Sequence, residues 1–234
     1  MDANPNPTSQ SGSSVLSLRD NTLTISTPTS PRSRVPNSAL LGQFISSKIV
    51  AKTLIYHILS KAWNNRKPWS MIEPSRKTKN TFVFLFESED DKRNVLEHRP
   101  WTVKGNLLVL NEWDSDTPMQ QLDFKMTSIW VQAHGVPPRL VTIENAMQIA
   151  TVVGKVITLE FDATNARWSE YLRFKVQVDL TKPLKAGIFL PVKDKHHAWV
   201  QFKFEKLGDF CYKCRRIGHD WTLCNENETS QLNL

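Results

Sequence analysis

All three cysteines of this 234-residue chain fall between positions 211 and 224, and a histidine lies among them. Cys211, Cys214, His219 and Cys224 have the spacing C-x2-C-x4-H-x4-C. Zinc binds four soft or borderline ligands in a tetrahedron, and a C-x2-C turn lets two thiolates hold the same ion. Because four protein ligands leave no open position for a catalytic water, such a site is structural. The spacing therefore predicts that these four residues bind one Zn2+ ion. The context that a redox C-x-x-C motif requires is not evident in the sequence.

The residues between these ligands are suited to nucleic acid. Lys213, Arg215 and Arg216 place positive charge beside the thiolates, and each phosphate that they neutralise would release counterions. Tyr212 and Trp221 lie in the same segment, and aromatic faces stack on unpaired bases. We predict that these five residues contact nucleic acid. The alternative for Trp221 is packing against a neighbouring domain.

A second basic region spans residues 61–79, in which Trp63 and Trp69 lie among basic side chains and Glu73 is the single acid. Basic groups beside aromatic rings suit single-stranded nucleic acid. The predicted contact residues of this region are Arg66, Lys67, Arg76, Lys77 and Lys79. The alternative is that these are solvated loops and that both tryptophans belong to a core.

Composition favours an anionic partner. The chain has 30 Lys and Arg against 23 Asp and Glu, a formal net charge of +7, so nucleic acid is the first candidate and an acidic membrane the second. We find no apolar run of about 18 residues and no secretory signal, and we expect an intracellular protein with no membrane partner. None of the nucleophile-elbow, P-loop or H-E-x-x-H motifs occurs, so we expect no enzymatic activity.

The residue pattern predicts two α+β units. Within residues 39–115 the order is strand, helix, strand, strand, helix, strand, with Ser88 capping the second helix. This is the βαββαβ order of ferredoxin-like folds and of RNA-recognition modules (RRMs). The first helix is expected within residues 47–63, with Ile49 on its apolar face. In the strand "NTFVFLFE" both faces are apolar, which favours burial of both over an open stacking face.

A second, β-rich unit is predicted over residues 124–208. It contains a strand, one helix that begins at Thr142 and ends at Gly154, and four further strands. The zinc knuckle occupies residues 209–226 and a tail 227–234. Residues 1–38 are rich in Ser, Pro, Asn and Thr, lack aromatic residues, and are predicted to form a disordered arm. Whether the two units form separate domains or one composite sheet is left open.

The chain resembles two known groups. The cysteine segment is similar to the CCHC zinc knuckle of retroviral and retrotransposon Gag proteins, in which an aromatic residue follows the first cysteine, as Tyr212 does here. A glycine commonly follows the second cysteine in retroviral knuckles, and Arg215 stands at that position. The other resemblance is to a plant family that carries a domain of unknown function before such a knuckle. It covers about residues 40–224, including "FVFLFESEDDKRNVLEHRPWTVKGNLLVLNEWD", "IWVQAHGVP" and "GKVITLEFD".

These resemblances imply a Gag-like product of a plant LINE-type retrotransposon, or a host copy of one, that binds nucleic acid with the help of Zn2+. We therefore expect single-stranded RNA or DNA as the partner. The alternatives are a protein-interaction module that self-associates and a transposon remnant with no selected role.

Overall fold

The computed structural model describes residues 38–74, 78–113, 117–162, 169–193, 196–211 and 213–225. Residues 1–37 of the predicted arm and the whole predicted tail, along with Arg76, Lys77 and Tyr212, lie outside these ranges. Among the described residues, none of the helices combines the length and the apolar character needed to cross a membrane.

The first sheet unit has the predicted order of elements with one additional short strand. Its elements are β1 (Ala39–Ile45), α1 (Lys52–Trp63), β2 (Trp69–Ile72), β3 (Thr81–Phe86), α2 (Glu89–Glu97), β4 (Trp101–Val103) and β5 (Asn106–Glu112). The strands lie in the order β2-β3-β1-β5-β4, and every neighbouring pair is antiparallel. Without β4, this is the strand order of the ferredoxin-like βαββαβ fold.

Local sequence explains most of these boundaries. The Ser88 hydroxyl accepts a hydrogen bond from the Asp91 backbone N–H and caps α2 as predicted. The prediction that α1 includes Ile49 is wrong, because the helix begins at Lys52 and Ile49 is 77% exposed. Instead, the buried Asn80 holds this segment: its side-chain amide accepts from the Val50 N–H and donates to the Lys48 carbonyl.

Both faces of the first sheet are covered. The three phenylalanines of β3 point toward the helices and lie in the core with Trp63 and Trp69. On the opposite face, Val83 and Leu41 pack against Met119, Leu122 and Phe124. These three residues belong to residues 117–124, the segment that connects β5 to the second sheet unit. Hydrogen bonds from Asn111 to the Asp123 carbonyl and from Trp113 to the Thr117 carbonyl hold that segment in place. The expected burial of both faces is therefore confirmed.

The second sheet unit repeats this strand order. It consists of β6 (Met126–His134), α3 (Ile143–Val153), β7 (Lys155–Glu160), β8 (Tyr171–Asp179), β9 (Gly187–Pro191) and β10 (His197–Phe204). Its strands lie in the order β7-β8-β6-β10-β9 and are likewise antiparallel. The two units therefore form two five-stranded sheets, and the predicted α+β class with an RRM-like first unit is confirmed. Thr142 caps α3, and the helix ends at Gly154 as expected.

The second unit differs from the first because a loop replaces its second helix. No described residue between β8 and β9 is helical; the segment crosses through the buried Leu184. Helix α3 supplies Ala146, Ile149 and Ala150 to the core of this sheet. Leu184, Leu207, Phe210 and Ile217 pack against the same core from outside the sheet. Two of these residues, Phe210 and Ile217, belong to the predicted knuckle, so the knuckle completes the apolar layer of this unit.

Candidate zinc knuckle and nucleic-acid surface

The four predicted zinc ligands come together in space. The sulfur atoms of Cys211, Cys214 and Cys224 and a ring nitrogen of His219 all lie within 4.8 Å of one another, and Cys214 Sγ is 3.3 Å from His219 Nε2. Zinc–ligand bonds of about 2.0–2.3 Å place the ligand atoms of a tetrahedron about 3.3–3.8 Å apart. The cluster is therefore close to the size of a zinc site.

Backbone hydrogen bonds form the turn that carries these ligands. The Cys211 N–H donates to the Arg216 carbonyl, and the Arg215 N–H donates to the Cys211 carbonyl. Arg215 has a φ of 61°, in the left-handed region that glycine adopts most easily. Arginine therefore adopts this turn at a conformational cost that glycine would not have. Gly218 has a φ of 103° and continues the turn into His219.

The protonation of the thiols fits a metal-binding role. The pKa of Cys214 is raised to about 11, first by burial and then by the neighbouring Cys211 and Cys224 thiols, against a backbone hydrogen bond from Arg216 that lowers it. Burial also tends to raise the pKa of Cys211, but hydrogen bonds from the Cys214 and Lys213 backbone outweigh it and lower that pKa. Three crowded thiolates need a compensating cation. The donor set and its size therefore fit Zn2+, whose binding would release thiol protons.

The knuckle is attached to both sheet units. The Leu184 N–H donates to the Arg215 carbonyl at 2.8 Å, and the Arg216 guanidinium donates to the Thr181 carbonyl. On the other side, the Ser47 N–H donates to the Gly218 carbonyl at 3.4 Å. The knuckle is consequently part of the folded body.

The basic residues of the knuckle differ in how they are held. Lys213, Arg215 and Arg216 are each half-buried, and the guanidinium of Arg216 is engaged with Thr181. Trp221 begins a one-turn 3₁₀ helix capped by the Asp220 side chain, and its side chain is 70% exposed. Exposure at this level rules out the alternative in which Trp221 packs into a neighbouring domain.

Lys48, which no pattern in the sequence indicates, is also a neighbour of this site. A cavity of about 620 Å3 lies between the knuckle and the segment after β1, and Lys48, Arg216 and Leu223 are among the residues that line it. Lys48 is also close enough to Asp220 for its charge to contribute to the lowered pKa of that carboxyl, after the hydrogen bonds from Thr222. Because Lys48 is 163 positions before Cys211, no local pattern indicates the proximity.

In the second predicted basic region, the described basic side chains are exposed but the tryptophans are buried. Trp63 and Trp69 are buried in the first core with their rings 4.7 Å apart, so neither can stack on a base. The core alternative for the tryptophans is therefore confirmed. Arg66 and Lys67 are exposed after α1, and their backbone N–H groups donate to the buried Asp91 carboxylate. Lys79 is exposed before β3.

An ion-pair network lies on the face of the second sheet that points away from α3. The Arg173 guanidinium stacks 3.8 Å from the Trp130 ring centre and pairs with Glu205 through two hydrogen bonds of 2.8 Å and with Glu160. The hydrogen bonds with Arg173 lower the pKa of Glu205, although burial opposes them. The same two carboxylates raise the pKa of Arg173 above its ordinary value, so it stays charged.

Replacing Glu205 with Gln is expected to lower the free energy of unfolding at pH 7 by about 1–2 kcal/mol, since a charge-assisted hydrogen-bond pair is lost. A carboxyl whose pKa is lower in the folded chain stabilises fully above its unfolded pKa of about 4.3, and the stabilisation is lost as the pH falls through the folded pKa. Urea denaturation of wild type and variant should therefore differ at pH 7, and the difference should shrink as the pH falls below about 4.3 and vanish below the folded pKa of Glu205. Glu160→Gln is the control, because Glu160 is the more exposed partner of Arg173, and it should lower the free energy of unfolding by less. Equal urea midpoints at pH 7 for Glu205→Gln and wild type would contradict the prediction.

The described structure thus has two α+β sheet units and a C-terminal cluster with the geometry of a zinc knuckle. Residues 36–121 match the family described as a domain of unknown function (DUF4283), and residues 178–226 match a zinc knuckle family. The chain therefore carries a DUF4283 domain followed by a zinc knuckle. The knuckle match begins at the end of β8 and includes β9 and β10, in agreement with the packing of Phe210 and Ile217 on that sheet.

The comparison with curated proteins finds the uncharacterized protein At4g02000 of Arabidopsis thaliana, which is 25% identical over 142 residues. The alignment covers 61% of this chain and 45% of the relative, so the chain spans less than half the length of that protein.

Solved structures also show similarity. The RNA recognition domains 1 and 2 of Sex-lethal from Drosophila melanogaster are 16% identical, with 61% of this chain and 87% of that chain covered and a TM-score of 0.25. The RNA binding domain of Hrp1 in complex with RNA is 12% identical, covering 71% of this chain and 95% of that chain, with a TM-score of 0.27. The first two RRM domains of the yeast poly(U) binding protein Pub1 are 7% identical, with coverages of 71% and 98% and a TM-score of 0.24. At these scores the likeness carries no argument about binding.

Proposed function

We propose that this chain is a zinc-dependent nucleic-acid-binding protein that takes single-stranded RNA or DNA at its knuckle. The observation that carries the proposal is the combination of a zinc-ligand cluster, the basic residues between its ligands and an exposed Trp221. Zinc would fix the backbone of the knuckle, while the side chains on it would make the contacts.

Charge and aromatic exposure favour single strands. Lys213 and Arg215 supply cations for phosphates, and Lys48 extends the basic surface across the cavity beside the knuckle. A base can stack on the exposed face of Trp221 only when it is unpaired, and such a contact contributes about 1–3 kcal/mol. Arg66, Lys67 and Lys79 of the second basic region add affinity as exposed cations, without aromatic partners in the described chain.

Trp221→Ala is expected to weaken binding of a labelled oligouridine by about tenfold, because one stacking contact is lost. Fluorescence anisotropy at two salt concentrations, with and without a zinc chelator, measures the effect. Wild-type affinity should fall steeply with salt, and each phosphate contact removed, as in Arg215→Ala, should reduce the slope of log K against log salt by about 0.7.

Ser47→Ala is a suitable control because its side chain is exposed near the knuckle while its backbone N–H, which donates to Gly218, is retained. Unchanged affinity of the Trp221→Ala variant would overturn the stacking role. An absence of any binding at low salt, with zinc confirmed in the protein, would overturn the proposed function as a whole.

We further propose that the chain derives from a Gag-like retrotransposon protein of a plant and acts inside the cell, without enzymatic activity. The order of a DUF4283 domain and a zinc knuckle supports this origin, as does the similarity to an Arabidopsis thaliana protein. Self-association, the alternative stated above, predicts a concentration-dependent mass in sedimentation that persists at high salt. A monomer over the whole concentration range would exclude it.

A further inference from the structure

The outer faces of the two sheets, which point away from the helices, differ in accessibility although the strand orders are the same. In the first sheet this face is apolar and covered by Met119, Leu122 and Phe124. In the second sheet the alternation of β10 places His197, Trp199, Gln201 and Lys203 on the outer face, and all four are exposed. The second unit therefore presents an open sheet surface that the first unit lacks.

Part of this outer face is occupied by the protein itself. The Lys175 ammonium donates to the Glu97 carbonyl at the end of α2, and Arg173 covers Trp130 while it pairs with Glu205. These residues are unavailable to a ligand. The rest of this face lies toward β9 and β10, and we call it the β9–β10 platform. It consists of the exposed Phe189, Trp199, Gln201 and Lys203 and the half-buried His134 and Tyr171.

Aromatic rings dominate this platform. Phe189 and Trp199 are paired across β9 and β10 with ring centres 4.8 Å apart, and they are 57% and 40% exposed. Gly187 lets the Trp199 indole lie close to the sheet, since a Cβ at that position would be 2.4 Å from the indole ring. His134 and Tyr171 form a second ring pair at 5.0 Å, directly across β6 and β8.

The platform borders the knuckle at Arg215. Gln201 and Lys203 line a cavity of about 400 Å3 together with Arg215, which the proposed function assigns to phosphate contacts. Exposed rings beside cations and an amide match the chemistry of a nucleic-acid strand, which offers stacking faces and phosphates in alternation. An apolar protein surface would leave Lys203 and Gln201 without partners.

We propose that the β9–β10 platform is a second binding site for single-stranded nucleic acid, on which bases stack against Trp199 and Phe189 while Lys203 contacts the backbone. This inference rests on the proposed function, because the nucleic-acid molecule bound at the knuckle would continue past Arg215 onto the sheet. The platform lengthens the site from the few nucleotides that a knuckle spans to a longer stretch.

The test measures the affinity of the full chain, loaded with zinc, for a labelled oligouridine of about 16 nucleotides and for one of about 5. Trp199→Leu keeps an apolar side chain but removes the stacking ring, and it should weaken binding of the long oligonucleotide by about tenfold. Trp199→Phe should restore most of the affinity. Both variants should bind the short oligonucleotide like wild type, since the knuckle alone can hold it.

Tyr56→Leu is the matched control, because Tyr56 is also half exposed and its ring also lies 4.8 Å from a tryptophan, Trp69, but on the first unit. Photo-crosslinking of 4-thiouridine RNA, mapped by mass spectrometry, should label the segment that contains Phe189 and Trp199. If wild type binds the long oligonucleotide and Trp199→Leu binds it equally, without crosslinks in β9 or β10, the platform is overturned while the knuckle site stands. If wild type binds neither oligonucleotide, the proposed function itself fails.

Discussion

Removal of zinc is expected to unfold the second sheet unit together with the knuckle. We expect chelation, or Cys211→Ser, to lower the free energy of unfolding by at least about 3–5 kcal/mol, because structural zinc contributes an apparent 10–16 kcal/mol in isolated zinc fingers. In a knuckle that is merely tethered to a domain, the loss would stay local. Here Phe210 and Ile217 belong to the apolar layer of the second sheet, so the effect is expected to spread.

The missing second helix is the physical reason for this coupling. In the first unit α1 and α2 cover one face of the sheet, whereas in the described part of the second unit α3 is joined by loop and knuckle residues, among them Leu184, Leu207, Phe210 and Ile217. Leu184 is held through the hydrogen bond from its N–H to the Arg215 carbonyl, within the zinc-ligand turn. If the turn lost its metal, the Leu184 segment would lose this partner, and we expect the core of the second sheet to become exposed to water.

Hydrogen exchange measured with and without chelator tests this expectation. Protection should fall in β9 and β10 as well as in residues 209–225, while β1, β3 and β5 should keep theirs. Trp221→Ala is the control, since it changes an exposed knuckle side chain without touching a ligand and should leave the zinc-dependent stability unchanged. Loss of protection confined to the knuckle would contradict the proposed coupling.

The second large loss of stability is expected when Gly208, between β10 and the knuckle, is replaced with alanine. A Cβ at this position would lie 2.3 Å from both the Cα and the carbonyl oxygen of Gly105, in the turn between β4 and β5. Both contacted atoms are backbone, so no side chain can rotate away. Overpacking of this kind lowers the free energy of unfolding by about 1–3 kcal/mol or more. Urea denaturation should show a loss at or above the upper value for Gly208→Ala.

Gly105→Ala provides a matched comparison on the other side of the same contact. Its new Cβ would meet the Asp209 carboxylate at 2.9 Å, which is a side-chain atom that can move. The φ of 85° at Gly105 adds a cost of about 1–2 kcal/mol for a non-glycine residue. Gly208→Ala should therefore destabilise more than Gly105→Ala. The reverse order would show that the close approach of these two turns is not required.

Much of the local structure followed from sequence. Phenylalanines that alternate with Val83 and Leu85 in β3 predicted a strand buried on both faces, and Ser88 and Thr142 marked the starts of α2 and α3. These signals are local, because capping and alternation depend on residues a few positions apart. The short strand β4 gave no such signal: its three residues depend on pairing with β5 across the turn at Lys104 and Gly105.

The zinc ligands were the part of the site that spacing alone could specify. Four ligands within 14 residues leave little freedom for the chain between them, so their convergence does not depend on the rest of the fold. The tryptophans of the second basic region showed the opposite behaviour. Trp63 and Trp69 are next to exposed cations in sequence, yet they are buried because their strand and helix face the first core.

By itself, the sequence determined the spacing of the four candidate zinc ligands, the order of the elements apart from β4, and the basic character of the chain, since each depends on residue type and short spacing. Only the tertiary structure decided that one outer sheet face is closed by residues 117–124 while the other is open around Trp199. It also decided that the knuckle completes the second core and lies beside Lys48. These outcomes depend on contacts between residues far apart in the chain, where the competition among apolar surfaces for burial is settled by the whole fold.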